Sequence, residues 1–173
     1  MTITQPHPKE FNPFYAGYVG KVPASGPVAM MTAQITAFEK FRALADGDGD
    51  YRYADGKWTV KEVLGHMSDA ERVFGYRLLR IARHDQTPLS GFDENAWGAI
   101  APHGQRRLAD VADELIAVRR STLALVDSLT DAALSGTTVA NNHPISGRAL
   151  CWIIPGHAQH HLDVLRDRYR LQA

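Results

Sequence analysis

His157 and His161 stand four residues apart in the run Trp152-Ile153-Ile154-Pro155-Gly156-His157-Ala158-Gln159-His160-His161-Leu162. Positions i and i+4 share one face of a helix, so two imidazoles at this spacing can grip one transition-metal ion. The rest of that face is apolar. At about 100° per residue, Leu150, Ile153, Ile154, Val164 and Leu165 fall on the same side. Buried polar groups without partners are costly, and a metal would satisfy both imidazoles at once. The third candidate ligand is His66, in Trp58-Thr59-Val60-Lys61-Glu62-Val63-Leu64-Gly65-His66-Met67-Ser68-Asp69. Its phase puts it at the edge of the apolar face centred on Val63, Met67, Phe74 and Ile81, from where it can point across a groove to a neighbouring helix. Three neutral imidazoles suit zinc, nickel, copper or iron, and three protein ligands leave coordination positions open to water or substrate. A lone buried histidine is more often a hydrogen-bonded core residue; the spaced pair, with His66 in phase, is what favours a metal.

Around the ligands, Asp69 lies one turn beyond His66 and could orient an imidazole through its second nitrogen. Asp69, Asp93 and Glu94 are the candidates for a general base, and His160 is a further candidate for a catalytic role. His160, on the flank of the apolar face, reads as a supporting residue rather than a ligand. His7, His84, His103 and His143 fall in the arm, in loops or at helix ends and receive no role. Cys151, the single cysteine, has no partner for an intramolecular disulfide; it reads as a buried inert thiol, and cysteine usage fits a reducing, cytoplasmic setting. No Gly-x-Ser-x-Gly elbow and no phosphate-binding glycine loop is present.

These side chains need helices to carry them, and four segments have helical patterning. The first covers about 27–45, with Pro27 in its first turn and Val28, Met31, Ile35 and Phe38 at 3/4 spacing. The second, about 59–83, opens on a capping box of Thr59 and Glu62. The third, about 106–129, repeats Leu108, Val111, Leu115, Val118, Thr122, Leu125 and Leu129 three and four apart. The fourth, about 146–170, has Ser146 as its N-cap and Pro155 inside it, where a kink just before His157 is expected. Asp46-Gly47-Asp48-Gly49-Asp50 lacks the full pattern of a calcium loop and reads as a turn. No strand pattern stands out. The expectation is an all-α four-helix bundle over residues 27–173, with a long crossover (84–105) between the second and third helices. Residues 1–26 form an irregular arm whose Phe11, Phe14, Tyr15 and Tyr18 should pack on the domain.

The 173 residues suffice for one domain with a sizeable core. With 19 basic and 19 acidic side chains, the chain lacks the basic footprint of a nucleic-acid binder. No apolar run is long enough for a membrane span, and the N-terminus lacks the pattern of a signal peptide.

Trp58 to His66 with Asp69, followed much later by Gly156-His157-Ala158-Gln159-His160-His161, resembles the DinB/YfiT-like superfamily over roughly residues 27–170. The stretch Gly91-Phe92-Asp93-Glu94-Asn95-Ala96-Trp97 is similar to one found in a bacterial branch of it. The resemblance implies a four-helix bundle, often a homodimer, whose histidine triad maps onto His66, His157 and His161 and holds a divalent metal, zinc or nickel foremost. Relatives of known activity include S-transferases and isomerases that use a low-molecular-weight thiol, and others are named metal-dependent hydrolases. The expectation is therefore a metal-dependent enzyme of the thiol-dependent S-transferase type acting on a small molecule. The alternatives are a hydrolase that activates water on the metal and a non-catalytic, metal-stabilised binding module.

Overall fold

A computed structural model of the chain describes residues 2–171. The arm enters through two 3-10 turns, Pro8–Glu10 and Pro13–Tyr15, and a short helix α1 (Ala16–Val19). There follow α2 (Pro27–Arg42), α3 (Asp46–Asp50), α4 (Val60–Ala82), α5 (Glu94–Ile100), α6 (Leu108–Asp127), α7 (Asp131–Ser135), an antiparallel hairpin of β1 (Thr137–Ala140) and β2 (His143–Ser146), and α8 (Gly147–Asp167). The four long helices α2, α4, α6 and α8 are the four expected, each within a few residues of its sequence range. α2 and α4 each pack against both α6 and α8, so these two consecutive long helices stand at opposite corners of the bundle.

Local chemistry sets the helix starts. Thr59 Oγ1 accepts the Glu62 N–H at 3.2 Å and Glu62 Oε2 accepts the Thr59 N–H at 2.6 Å, the reciprocal capping box that opens α4. Ser146 Oγ accepts the Ala149 N–H at 2.9 Å and opens α8. The acidic run at 46–50 is a short helix rather than a plain turn, and Asp46 Oδ1 accepts the Leu108 N–H at 2.7 Å, capping α6 from a distance. α8 runs as one helix from Gly147 to Asp167 with Pro155 inside it, and the Pro155 carbonyl accepts a hydrogen bond from Gln34 Nε2 at 2.9 Å.

Two apolar clusters fill the interior. One joins Ile3, Phe11 and Val19 of the arm to Phe74, Leu78 and Ile81 of α4 and Leu150, Ile153 and Ile154 of α8. The other joins Phe38 and Phe41 of α2, Val63, Leu64 and Met67 of α4, Leu108 and Leu115 of α6, and Leu162 and Leu165 of α8. Each large side chain fully buried there contributes roughly 1.5–3 kcal/mol. α8 crosses from one cluster to the other between Ile154 and Ala158, and His157 sits at that seam.

The hairpin is missing from the sequence expectation, as are the short helices α1, α3, α5 and α7. Its two-residue turn, Asn141-Asn142, has φ of 50° and 63°, the left-handed pair of a type I′ turn that asparagine tolerates. The crossover clips onto it: Leu89 N–H donates to the Val139 carbonyl and Asn141 N–H to the Leu89 carbonyl, both at 2.9 Å. Among the described residues, no helix is long and apolar enough to cross a membrane.

Candidate metal centre

α4 and α8 lie side by side and bring His66, His157 and His161 together. His157 Nε2 is 3.2 Å from His66 Nε2 and 3.2 Å from His161 Nε2, and the three ligand atoms all lie within 4.8 Å of one another. Tetrahedral bonds of about 2.0–2.1 Å would set neighbouring nitrogens roughly 3.3 Å apart. Hydrogen bonding satisfies this arrangement poorly, because a neutral ring nitrogen that accepts has a single lone pair, and His157 Nε2 would have to share it between two donors. One cation would meet all three lone pairs, so the donor set fits a divalent transition metal.

Electrostatics favour the ligating form. Burial first, then the neighbouring imidazoles, hold His157 and His161 well below the usual imidazole range. His66 is lowered too, by burial, with Glu94 and Asp69 pulling in the opposite direction. All three are thus neutral at neutral pH, with lone pairs available.

A glycine precedes each helix's first ligand, and its missing side chain is filled by a neighbour. A Cβ on Gly65 would lie 2.2 Å from the His103 ring, and one on Gly156 would lie 2.1 Å from the Tyr18 carbonyl oxygen. Gly156 therefore lets α1 rest on α8, which places the Tyr18 ring edge-on to His157 with centroids 5.4 Å apart. Gly65 lets His103 pack beside His66, and His103 Nε2 pairs with Asp69 Oδ2 at 3.0 Å. The expected role of Asp69 is corrected here: it orients no ligand. That hydrogen bond from His103, above all, lowers its pKa, and Arg72 adds a salt bridge at 3.3 Å.

The triad forms part of the wall of a cavity of about 450 Å³. One face of α4 lines it with His66, Ala70, Phe74 and Arg77. The arm covers it with Tyr15 and Tyr18, and the crossover and hairpin close the remaining sides. Of the expected base candidates, Glu94 is at this cavity. Asp93 is not; it caps α5, accepting the Asn95 and Ala96 N–H groups at 3.0 Å each. His160 lies outside the lining, its ring 5.5 Å from that of Tyr18. Cys151 is buried and pushed up to about 12, an inert thiol. Sequence reading missed His103, Tyr15, Tyr18 and Arg77. The glycines at 65 and 156 were the available signal for the first and third.

The family model for the DinB superfamily matches residues 31–165. The chain belongs to the DinB superfamily. Among relatives in sequence is a protein of Oceanobacillus iheyensis named "Putative metal-dependent hydrolase OB0413", 26% identical over 133 residues, which span 72% of each chain. YfiT of Bacillus subtilis, also named a "Putative metal-dependent hydrolase", is 28% identical over 92 residues, 51% of this chain and 49% of its own. The solved structure of YfiT, described as a "probable metal-dependent hydrolase with an unusual four-helix bundle topology", superposes with a TM-score of 0.69 at 19% identity, covering 96% of this chain and 92% of YfiT. The mycothiol-dependent maleylpyruvate isomerase superposes with a TM-score of 0.66 at 9% identity, covering 84% of this chain and 62% of its own. At these identities the two superpositions speak for the fold alone. This DinB-superfamily chain is thus a helical bundle like YfiT, with a three-histidine group able to hold a divalent metal.

Proposed function

We propose that this protein is a metal-dependent enzyme in which His66, His157 and His161 hold one divalent ion, zinc or nickel, and that it transfers a low-molecular-weight thiol to a small electrophile. The supporting observation is the convergence of three Nε2 atoms on the wall of an open cavity of about 450 Å³. That volume falls in the range of small-molecule sites and leaves room for a thiol and an acceptor beside the triad. A divalent ion bound there supplies Lewis acidity, which draws a thiol toward its reactive thiolate or acidifies water. The chain's own groups do the rest. Glu94, on the cavity wall, takes up the proton that the thiol releases; as the C–S bond forms, the electrophile's leaving group departs with the electrons of its bond to carbon and receives that proton. Tyr18 has a raised pKa from burial, which keeps its phenol protonated as an O–H donor to the electrophile. Tyr15, Phe74 and Phe92 flank the cavity and limit water.

A second reading is a hydrolase, favoured by the same Glu94 carboxylate, which could take a proton from water instead. Cobalt(II) substitution separates the two readings. Cobalt–thiolate bonds give charge-transfer absorption, and the buried Cys151 cannot supply that signal. The expected result is a thiolate band on adding glutathione, mycothiol or bacillithiol, and consumption of that thiol when an alkylating electrophile follows. If none of these thiols perturbs the spectrum while esters or amides turn over only with metal present, the transferase reading is wrong.

A further inference from the structure

Arg77 is 3% exposed, yet among the described residues no carboxylate pairs with it. Its guanidinium makes one hydrogen bond, from Nη2 to the Ser90 carbonyl at 2.8 Å. That uses one of five N–H donors. A buried cation without a counter-ion is a costly arrangement, and natural cores avoid it unless something else supplies the charge. Arg77 lines the same cavity as the histidine triad and is the only arginine or lysine among its lining residues.

The positions are ordered along one helix face. His66, Ala70, Phe74 and Arg77 are spaced four, four and three residues apart, so they form a single stripe on α4. Eleven residues of helix separate the Cα atoms of His66 and Arg77 by about 16 Å. The histidines stand at one end of this stripe, the guanidinium at the other, and Phe74 lies between them. The one acidic lining residue, Glu94, exerts its charge on His66 and Tyr18, at the histidine end.

We infer that Arg77 is the anchor of a carboxylate-binding subsite: the substrate is elongated, reacts beside the histidines and seats a carboxylate on the guanidinium. The reacting end of this statement rests on the proposed metal site; the anchoring end does not. A single guanidinium fork matches a planar carboxylate in a bidentate pair, whereas a phosphate dianion is better met by two permanent cations, and Arg77 is the one arginine or lysine in the lining. The aromatic midsection suits the apolar or unsaturated body of such an acid.

Calorimetric titration of the protein as purified with hexanoate, hexanol and hexylphosphonate tests this. Charge-assisted pairing predicts that hexanoate binds about 10- to 100-fold more tightly than hexanol. Arg77→Gln should lose that preference and Arg77→Lys should keep part of it, with helical circular dichroism showing both variants folded. His157→Ala should keep the preference, so a failed metal site and a failed anchor give different results. Equal binding of hexanoate and hexanol by the wild-type protein overturns the inference without recourse to any variant. So does a preference that persists in Arg77→Gln and vanishes in His157→Ala, which would put the carboxylate on the metal. Tighter binding of hexylphosphonate than hexanoate would replace the carboxylate with a phosphate-like group.

Discussion

Arg119 of α6 and Arg77 of α4 are both buried in the bundle, at 0% and 3% exposure, yet their surroundings are opposites. Arg119 is closed on every side. Its Nε and Nη2 donate to the two oxygens of Glu71 at 2.8 Å each, Nη1 donates to Gln34 Oε1 at 2.5 Å, and its guanidinium lies 5.2 Å from the Phe38 ring centroid. Gln34 carries the network on to the Pro155 carbonyl of α8. Arg77 has one carbonyl and a cavity. The first arrangement ties α2, α4, α6 and α8 together at mid-height; the second leaves charge directed at something outside the chain. Burial of a charge is therefore uninformative until its partners are counted: saturation marks a structural network, and its lack marks a site.

The comparison is broken most directly at Arg119. Replacing it with leucine leaves Glu71, with a side chain only 4% exposed, as an unpaired buried carboxylate. The expected loss is about 3–5 kcal/mol of unfolding free energy in denaturant titrations, with part of it recovered in Arg119→Leu/Glu71→Leu. A variant as stable as the parent would mean that the network holds nothing together.

Metal removal should have the next largest effect. A ligand confined to the folded state at about 100 times its dissociation constant adds about 2.7 kcal/mol, so chelator should lower the melting temperature at pH 7.5. His66→Ala, His157→Ala and His161→Ala should each lose the metal by elemental analysis, while His160→Ala retains it. The pH dependence follows from the lowered pKa values of the three ligands. Imidazoles of the unfolded chain take protons near pH 6.5, while those of the folded chain resist until lower pH. Stability present above about pH 6.5 is thus lost as pH falls through that value, even in the chelated protein. The chelator effect itself should shrink near pH 5, because protons displace the metal first. A chelator shift that does not vary between pH 7.5 and pH 5 would count against imidazole ligation.

Arg77→Gln should matter least to stability. With no ion pair to break, it should change the unfolding free energy by about 1 kcal/mol or less, the scale of one hydrogen bond to a carbonyl. A loss matching that of Arg119→Leu would show that Arg77 is structural after all.

Much of the fold could be read from the sequence, because a long amphipathic helix repeats its signal over many residues. The α4 capping box and the Ser146 cap stand where their residue types placed them, and the α6 seam holds at Leu108, Val111, Leu115 and Thr122, while Val118 and Leu125 are only partly buried. The triad could be read for the same reason, since i and i+4 on one helix are fixed by geometry. The failures share a cause. Gln34, Glu71 and Arg119 are polar, and polar residues on a helix read as solvent-facing unless their partners on other helices are known. Val28, counted among the apolar positions of α2, is exposed, whereas Gln34 is buried. His103 sits in a short 3-10 turn, Pro102–Gln105, and gains its place through contact with Gly65 and Asp69. The hairpin strands have four residues each, too short for an alternating pattern to stand out, and their one clear signal is the Asn141-Asn142 pair.

The cavity's cover has a different origin from its floor. The histidines stand on two long helices within the family-matched region, while Tyr15 and Tyr18 belong to the arm that precedes it. That arm is tied to α8 by its own contacts: Ile3, Phe11 and Val19 enter the core, Trp152 Nε1 donates to the Ile3 carbonyl at 3.2 Å, Glu10 meets Arg148 at 2.8 Å and Ser146 at 2.7 Å, and Lys21 meets Asp163 at 2.7 Å. On the proposed reading, reactivity would rest with the two helices that carry the ligands and selectivity with the arm, so a change confined to the arm would alter which acceptor enters while the histidines keep their spacing.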